Sequence, residues 1–286
     1  MKRPYSKNMS DSLITTRFLP ASGSSPALEL LEVRRNGTTE NPPILCLHGA
    51  FGGAWMWEQF LRAAKTRGRR AIAISVRGHG ASEGRQLLRT STLADYSADV
   101  LRAFDEFDEA PVVIGHSLGA LLAQRLLGRV MMRALVMLAP LPPEGMVFMS
   151  PRLFATVPEI WLGFAHALLD SEHPVPEQLK DLIFADRFAP EAARRCLARM
   201  GPESARVLME SHLPLPTAPA LLFGVPGLVI GGDADPLVTI DSLWRTALYH
   251  GAAHITAPKF GHLLHLEPGA DQIARMTIDW LEKQGL

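Results

Sequence analysis

The chain has 286 residues, of which 47% are hydrophobic, and equal numbers of basic and acidic side chains, 29 of each. This length suffices for a substantial hydrophobic core, so stability should depend on neither disulfides nor structural metals. The zero net charge argues against a nucleic-acid binder, and the two cysteines are too few for a disulfide framework or a four-ligand zinc site.

The N-terminal residues are charged and polar, and no apolar signal-peptide core follows them. Residues 1–25 scatter Ser, Gly and Pro among polar residues, and we expect a loose segment there. No stretch approaches the roughly 18–20 uninterrupted apolar residues of a membrane span. We therefore expect a cytoplasmic protein without stable membrane insertion.

From about residue 27, short apolar runs alternate with longer amphipathic stretches. Short apolar runs that end in Gly, Pro or polar clusters are typical of strands covered by helices on both faces. The predicted strands are 28–33, 43–47, 71–75, 111–114, 134–138, 227–230 and 253–256, the first of them antiparallel; the predicted helices are 57–66, 92–107, 118–127, 242–248 and 273–282. This alternation predicts an α/β fold with a mostly parallel sheet.

One block, residues 142–226, breaks the alternation because it contains no convincing strand. Several of its helix-like pieces begin at or near a proline, which suits the first turn of a helix. We expect a helical cap inserted between the two parts of the core, 26–141 and 227–286, and folded over one sheet edge. Its apolar residues Phe148, Phe154 and Trp161 are candidates to line a substrate pocket.

The strongest local motif is G-x-S-x-G, at Gly115-His116-Ser117-Leu118-Gly119, directly after a predicted strand and before a predicted helix. A tight strand-to-helix turn strains the backbone of its serine and crowds the neighbours, and glycines relieve that crowding because they lack Cβ. The serine oxygen would project at the helix start, where the positive end of the helix dipole favours developing negative charge. The motif predicts a nucleophilic Ser117.

A serine nucleophile needs a base, and the base needs an orienting acid. Asp233 and Asp235 both follow the predicted strand 227–230, and either carboxylate would lie at the sheet edge that carries Ser117. His262 follows a short strand and a glycine near the C-terminus. Taken alone, His262 would be more typical of a packed or capping histidine, but its place behind a serine and an acid makes it the candidate base.

The loop after the predicted strand 43–47 can supply the second half of an oxyanion hole. The amides of Ala50 and Leu118 are the candidate donors, because one follows a tight His-Gly turn and the other begins a helix. Candidate pocket residues near them are Phe51, Trp55 and His116, whereas Trp57 is more typical of helix packing on the sheet.

Together these motifs resemble the α/β-hydrolase superfamily from about residue 43 to the C-terminus. The resemblance rests on His48-Gly49, Arg77-Gly78-His79-Gly80-Ala81-Ser82, Gly115-His116-Ser117-Leu118-Gly119, Gly232-Asp233-Ala234-Asp235 and Gly261-His262. It implies a mostly parallel, eight-stranded sheet flanked by helices, with an inserted helical cap after the sixth strand.

The resemblance also implies roles for individual residues. The family's acid usually stands three residues after the glycine in G-x-x-D, which selects Asp235 over Asp233. His79 and Ser82 would belong to a structural loop. A serine at the elbow argues against haloalkane dehalogenase and epoxide hydrolase chemistry, in which the nucleophile is an aspartate. The loop 48–57 is similar over about ten residues to that of plant methyl esterases and hydroxynitrile lyases.

The predicted function is a serine hydrolase that cleaves a carboxylic ester, thioester or lactone of an apolar small molecule, without a metal or cofactor. One alternative keeps the triad for C–C bond hydrolysis, hydroxynitrile cleavage, perhydrolysis or cofactor-free oxygenation. Another is a non-enzymatic ligand-binding member, which an intact triad disfavours. The sequence predicts no oligomeric state.

Overall fold

A single eight-stranded sheet organises the computed structural model, which describes residues 13–35, 41–146, 165, 179–214 and 217–286. The strands are β1 (Thr15–Leu19), β2 (Leu28–Val33), β3 (Ile44–Leu47), β4 (Ala71–Ile74), β5 (Val112–His116), β6 (Ala134–Leu138), β7 (Gly227–Gly232) and β8 (Ala253–Ala257). They lie in the order β1-β2-β4-β3-β5-β6-β7-β8. The pairs made by β1 and β2 are antiparallel, and β4, β3, β5, β6, β7 and β8 run parallel. The predicted fold class is confirmed.

Helices flank this sheet and connect its parallel strands. They are α1 (Glu58–Thr66), α2 (Leu93–Phe104), α3 (Leu118–Arg125), α4 (Lys180–Ile183), α5 (Pro190–Leu197), α6 (Ala205–His212), α7 (Ile240–His250) and α8 (Ala270–Lys283), with 3₁₀ turns at Ala54–Trp57, Arg85–Thr90 and Ala220–Phe223. The central strands β3, β4, β5 and β6 are buried at every position, as their apolar runs predict. Helix α1 packs against α8, and α2 packs against α3.

The edge strand β1 differs from the loose segment expected over residues 1–25. It pairs with β2 from Thr15, opposite Glu32, to Leu19, opposite Leu28. Only Leu19 of this strand is buried, so β1 carries little of the apolar pattern by which the inner strands were recognised. Its backbone ladder and the Arg17–Glu32 ion pair, at 2.9 Å between Nε and Oε2, hold it instead.

The described part of the segment between β6 and β7 is helical. It contains α4, α5 and α6, the last of which packs near the turn Arg85–Thr90 and α2. Phe148, Phe154 and Trp161, the predicted pocket residues of the cap, lie outside the described residues. The carboxyl ends of β3, β5, β7 and β8 meet at one sheet edge because these strands are parallel. The loops from these strand ends are therefore neighbours.

Helix α3 approaches the end of β3 so closely that only glycine fits at position 119. A Cβ there would lie 2.3 Å from the carbonyl oxygen of Leu47 and 2.5 Å from that of His48. Gly119→Ala should therefore lower the free energy of unfolding by about 1–3 kcal/mol, as overpacking does. Gly201→Ala is the matched control, because a Cβ at Gly201 would meet nothing within 4 Å. Urea unfolding measures both; equal midpoints for the two variants would contradict the steric argument.

Candidate active site

Ser117 occupies the turn between β5 and α3, and its backbone conformation is one that residues other than glycine rarely adopt. Its φ is 51° and its ψ is −116°. The turn is fixed on both sides, because the Ser117 amide donates to the Leu138 carbonyl at 2.9 Å and its carbonyl accepts from the Ala120 amide at 3.0 Å. A Cβ on Gly115 would lie 2.5 Å from backbone atoms of Ala120. The strain and crowding expected of a nucleophile elbow are thus present.

The structure brings Ser117, His262 and Asp235 into one hydrogen-bonded chain. The Oγ of Ser117 is 2.9 Å from Nε2 of His262, and Nδ1 of His262 is 2.9 Å from Oδ2 of Asp235. A carboxylate only accepts, so Nδ1 of His262 donates to Asp235. In the neutral imidazole, Nε2 is then free to accept the Ser117 hydroxyl proton. All three residues are at least nine-tenths buried, at 7%, 5% and 7% exposure.

Asp235 and Asp233, which the motif left in competition, have different environments. The second carboxylate oxygen of Asp235 accepts from the amides of Leu237 at 2.8 Å and Val238 at 3.0 Å, which fixes the side chain. Asp233 is exposed, and its Oδ1 accepts from the Lys259 amide at 2.5 Å. Only Asp235 is therefore in hydrogen-bond contact with the histidine.

The two candidate oxyanion donors, Ala50 and Leu118, flank Ser117 in the wall of the same pocket. Leu118 is the first residue of α3, so its amide has no intrahelical acceptor. Ala50 lies in the loop after β3, residues 48–53, where Phe51 has a positive φ of 61°. The close packing of Gly119 on Leu47 and His48 brings this loop to the elbow.

His116 links the elbow to the loop of His262. Its Nε2 donates to the backbone carbonyl of His262 at 2.9 Å, and the two rings lie 4.9 Å apart. Burial, together with the neighbouring His265 and His262, holds the pKa of His116 well below its ordinary value. His116 is therefore a neutral donor that supports the position of the His262 loop.

Two buried glutamates, Glu203 and Glu267, support the site, and the sequence predicts neither of them. Glu267 accepts from the amides of Gly261 and Ala185, both at 3.0 Å, and so joins the His262 loop to the residues after α4. Burial raises the pKa of Glu267. Glu203, which precedes α6, accepts from the amide of Phe51 at 3.0 Å. No motif surrounds either residue, so only the folded contacts reveal them.

The pocket in front of Ser117 has a mostly apolar wall. Ala50, Phe51, His116 and Leu118 contribute to it from the core. The segment after β6 contributes Leu141, Met146, Leu179, Leu182, Ile183, Met200, Leu208, Ser211 and His212. Trp55, which was expected here, lies outside this pocket, because its ring packs against the Arg199 guanidinium at 4.4 Å.

Other residues singled out in the sequence have structural contacts. Trp57 is fully buried and packs edge-on against Phe60, at 5.8 Å between ring centroids. The hydroxyl of Ser82 donates to the Ser75 carbonyl at 2.6 Å and accepts from the Glu29 amide at 2.8 Å. Within the described ranges, no three His, Cys, Asp or Glu side chains are grouped to hold a metal ion. The described helices also include none long and apolar enough to cross a membrane.

The chain belongs to the alpha/beta hydrolase family, whose model matches residues 44–275. It is 31% identical over 80 residues to Methylesterase 3 of Arabidopsis thaliana, covering 27% of this chain and 30% of that protein. It is also 31% identical over 86 residues to the sn-1-specific diacylglycerol lipase ABHD11 of Xenopus tropicalis, covering 29% and 26%. The chain thus matches less than a third of the length of either relative.

Solved structures share the fold over nearly the whole chain. The enol-lactonase from Burkholderia xenovorans LB400 superposes with a TM-score of 0.74 at 19% identity, covering 93% of this chain and all of that one, 100%. A sequence identity this low supports a shared fold but no conclusion about the substrate. Taken together, the family match and this superposition define the chain as an alpha/beta hydrolase.

Buried neutral histidines make the stability of this fold sensitive to acid. Burial lowers the pKa of His48 and His265 to about 3 and that of His250 to about 4; the charge of His79 adds to the shift at His48. The pKa of histidine in the unfolded chain is about 6.5. Between about pH 6.5 and 4, the unfolded chain therefore binds more protons at these histidines than the folded chain does. Each such histidine should cost up to about 1.4 kcal/mol of stability per unit of pH in that window.

Urea unfolding at pH 7 and at pH 5 measures this effect. We expect a lower free energy of unfolding at pH 5 than at pH 7. His265→Phe keeps a ring against Trp57 and should reduce this pH-dependent difference by the contribution of one histidine. Stability that is equal at the two pH values would contradict the assignment of these histidines as neutral.

Proposed function

We propose that this alpha/beta hydrolase is a serine hydrolase that cleaves a carboxylic ester, thioester or lactone of an apolar small molecule through an acyl-enzyme. The observation that carries the proposal is the continuous chain from Ser117 Oγ to His262 to Asp235, with 2.9 Å at each step. A hydroxyl, an imidazole and a carboxylate in this order are what acyl transfer by serine requires.

In the first half-reaction, Ser117 Oγ attacks the acyl carbonyl carbon and its proton moves to Nε2 of His262. The carbonyl electron pair moves onto oxygen, and the amides of Ala50 and Leu118 donate to that oxyanion. When the tetrahedral intermediate collapses, the bond to the leaving group breaks and His262 gives its proton to the departing oxygen or sulfur. Asp235 holds the imidazole in the required tautomer and stabilises its positive charge.

In the second half-reaction, water attacks the acyl-Ser117 ester while His262 accepts the water proton. Collapse of the second tetrahedral intermediate releases the carboxylic acid and returns the proton to Ser117. A lactone follows the same course, except that its leaving group stays attached to the acyl chain. Protons and electrons balance without a cofactor.

The pocket wall beside Ser117 supports an apolar substrate. Its described residues include seven aliphatic or methionine side chains from the segment after β6, and no Asp, Glu, Lys or Arg. An ionised acyl chain would lose hydration there and meet no Lys or Arg among the described wall residues, whereas an apolar chain gains from burial. We propose that the segment 142–226 acts as the cap over this pocket, and that it excludes water from the acyl site.

The nucleophile is tested by Ser117→Ala. This variant should fold, lose labelling by a fluorophosphonate, and lose ester turnover on the order of 10³-fold or more, as other triad nucleophiles do. Ser211→Ala removes the other serine in the described pocket wall and should still be labelled. Intact-mass spectrometry reads the label. If Ser117→Ala is labelled at the rate of the wild type, Ser117 is not the nucleophile.

The acid is tested by comparing the two neighbouring aspartates. Asp235→Asn should lower kcat on the order of 10⁴-fold, because the wrong histidine tautomer is then held. Asp233→Asn should have little effect, since the Asp233 carboxylate is exposed and accepts from the Lys259 amide rather than from His262. Steady-state hydrolysis of p-nitrophenyl esters measures both variants. A larger loss at Asp233 than at Asp235 would reverse the assignment.

A panel of aliphatic p-nitrophenyl esters, lactones and thioesters tests the substrate class. We expect kcat/KM to rise with acyl chain length by about tenfold for every two buried methylenes, at ~0.8 kcal/mol for each. Esters with an ionised acyl chain should be poor substrates. A preference for charged acyl groups would overturn the assignment of an apolar substrate. Turnover of C–C bonds or hydroxynitriles in place of esters would favour the alternative chemistries of the same triad.

A further inference from the structure

The carboxylate of Glu203 lies deep in the protein, although it belongs to the segment after β6 that lines the pocket. Its exposure is 1%. It accepts four hydrogen bonds within the described chain: from the Phe51 amide at 3.0 Å and His79 Nε2 at 3.1 Å on Oε2, and from Tyr96 Oη at 2.6 Å and the Ser204 amide at 2.7 Å on Oε1. Each oxygen of this buried carboxylate therefore accepts two hydrogen bonds, which offset the cost of burying its charge.

The contacts of His79 require a charged ring opposite Glu203. Its Nδ1 lies 2.9 Å from the Arg77 carbonyl and its Nε2 lies 3.1 Å from the Glu203 carboxylate, so both nitrogens face acceptors and both carry protons. Burial acts against this charge, but the interaction with Glu203 outweighs it and raises the pKa of His79. Burial likewise opposes ionisation of Glu203, yet His79 and the other donors lower the Glu203 pKa to about 2.

The neighbouring His48 is in the opposite protonation state. Its Nδ1 donates to the Gly49 carbonyl at 2.8 Å, and its Nε2 accepts from the Val76 amide at 3.2 Å. The ring is therefore neutral, and it lies 5.1 Å from the ring of His79. The buried cation at His79 is thus paired with the buried anion at Glu203, and this pair contacts the loop after β3 through the Phe51 amide.

Phe51 connects this ion pair to the reacting atoms. Its φ of 61° is unusual for a residue with a side chain. Both of its backbone polar groups are held by the segment before α6, the amide by Glu203 at 3.0 Å and the carbonyl by the Gly201 amide at 2.9 Å. Phe51 directly follows Ala50, so fixing the peptide plane at Phe51 also restricts the orientation of the Ala50 amide.

We propose that Glu203 is a positioning residue of this enzyme: acting through the Phe51 amide, it holds the Ala50 amide in the direction of the oxyanion. The inference rests on the proposed function, in which Ala50 donates to the tetrahedral intermediate. The segment that forms the pocket wall, through Met200, thereby also sets the geometry of the oxyanion hole. Glu203 is not among the residues that line the described pocket, and its effect belongs to the transition state rather than to substrate binding.

Glu203→Gln tests this role. The four donors bond to both oxygens of the glutamate carboxylate, whereas a glutamine side chain has only one oxygen that accepts. Whichever way the amide turns, one pair of donors then faces an NH₂ group. Loss of a complete oxyanion donor costs about 10²–10³ in kcat, so a misdirected donor should cost about 10–100-fold. KM should stay within about twofold of the wild-type value, since the substitution alters none of the side chains that line the described pocket.

Glu210→Gln is the matched control from the same segment. The Glu210 carboxylate accepts from the Leu93 amide at 2.8 Å and from Arg206 Nε at 3.1 Å, and neither partner belongs to the loop 48–53. This variant should retain kcat within about twofold. If Glu203→Gln does not fold, Glu203→Asp replaces it, because the shorter side chain keeps the charge but does not reach His79, Tyr96 and Phe51 together.

The deciding readout is the affinity for a trifluoromethyl ketone, which forms a tetrahedral adduct with the nucleophile. We expect the Glu203 variant to lose this affinity in parallel with kcat while KM is retained, a split that general loosening of the fold would not produce. An unchanged kcat, or an equal loss in Glu210→Gln, would overturn the role of Glu203. Fluorophosphonate labelling of wild-type Ser117 separates the two proposals: if that labelling is absent, the proposed function itself fails.

Discussion

The site depends on the close packing of helix α3 against the end of strand β3. A Cβ on residue 119 would lie 2.3 Å from the Leu47 carbonyl oxygen, so any residue other than glycine would clash there. The same approach forces Ser117 into its strained turn, with φ at 51°, and brings the loop 48–53 beside the serine oxygen. Ser117 and the loop 48–53 are therefore positioned by one steric constraint, on two parallel strands.

Buried carboxylates then fasten the loops that this packing brings together. Glu203 holds the loop after β3, and Glu267 holds the loop that carries His262 through the Gly261 amide. Both also engage the segment between β6 and β7, Glu203 as a member of it and Glu267 through the Ala185 amide. An uncompensated buried charge is costly, so each carboxylate favours only those loop arrangements that supply its donors. The segment that lines the pocket is in this way tied to both loops, the one after β3 and the one that carries His262.

The sequence predicts the parallel strands and the elbow because their causes are local: apolar runs covered on both faces, and glycines required by a strained turn. The choice of Asp235 over Asp233 rests on the family resemblance, because both aspartates follow the same strand. In the structure, the contact with His262 distinguishes them. Strand β1 has no apolar periodicity, because only Leu19 of it is buried. Trp55, Glu203 and Glu267 depend on partners remote in sequence, such as the 152-residue separation between Phe51 and Glu203. Composition and spacing contain no signal for such pairings.

The most direct test of the account is a crystal structure of the adduct that forms with a fluorophosphonate. The phosphorus should be bonded to Ser117 Oγ, with His262 Nε2 within hydrogen-bond distance of that oxygen. The phosphoryl oxygen should lie about 2.7–3.1 Å from the amide nitrogens of both Ala50 and Leu118, with the Glu203 carboxylate still bound to the Phe51 amide. Phosphorus on another side chain, or a phosphoryl oxygen that contacts neither amide, would contradict the account.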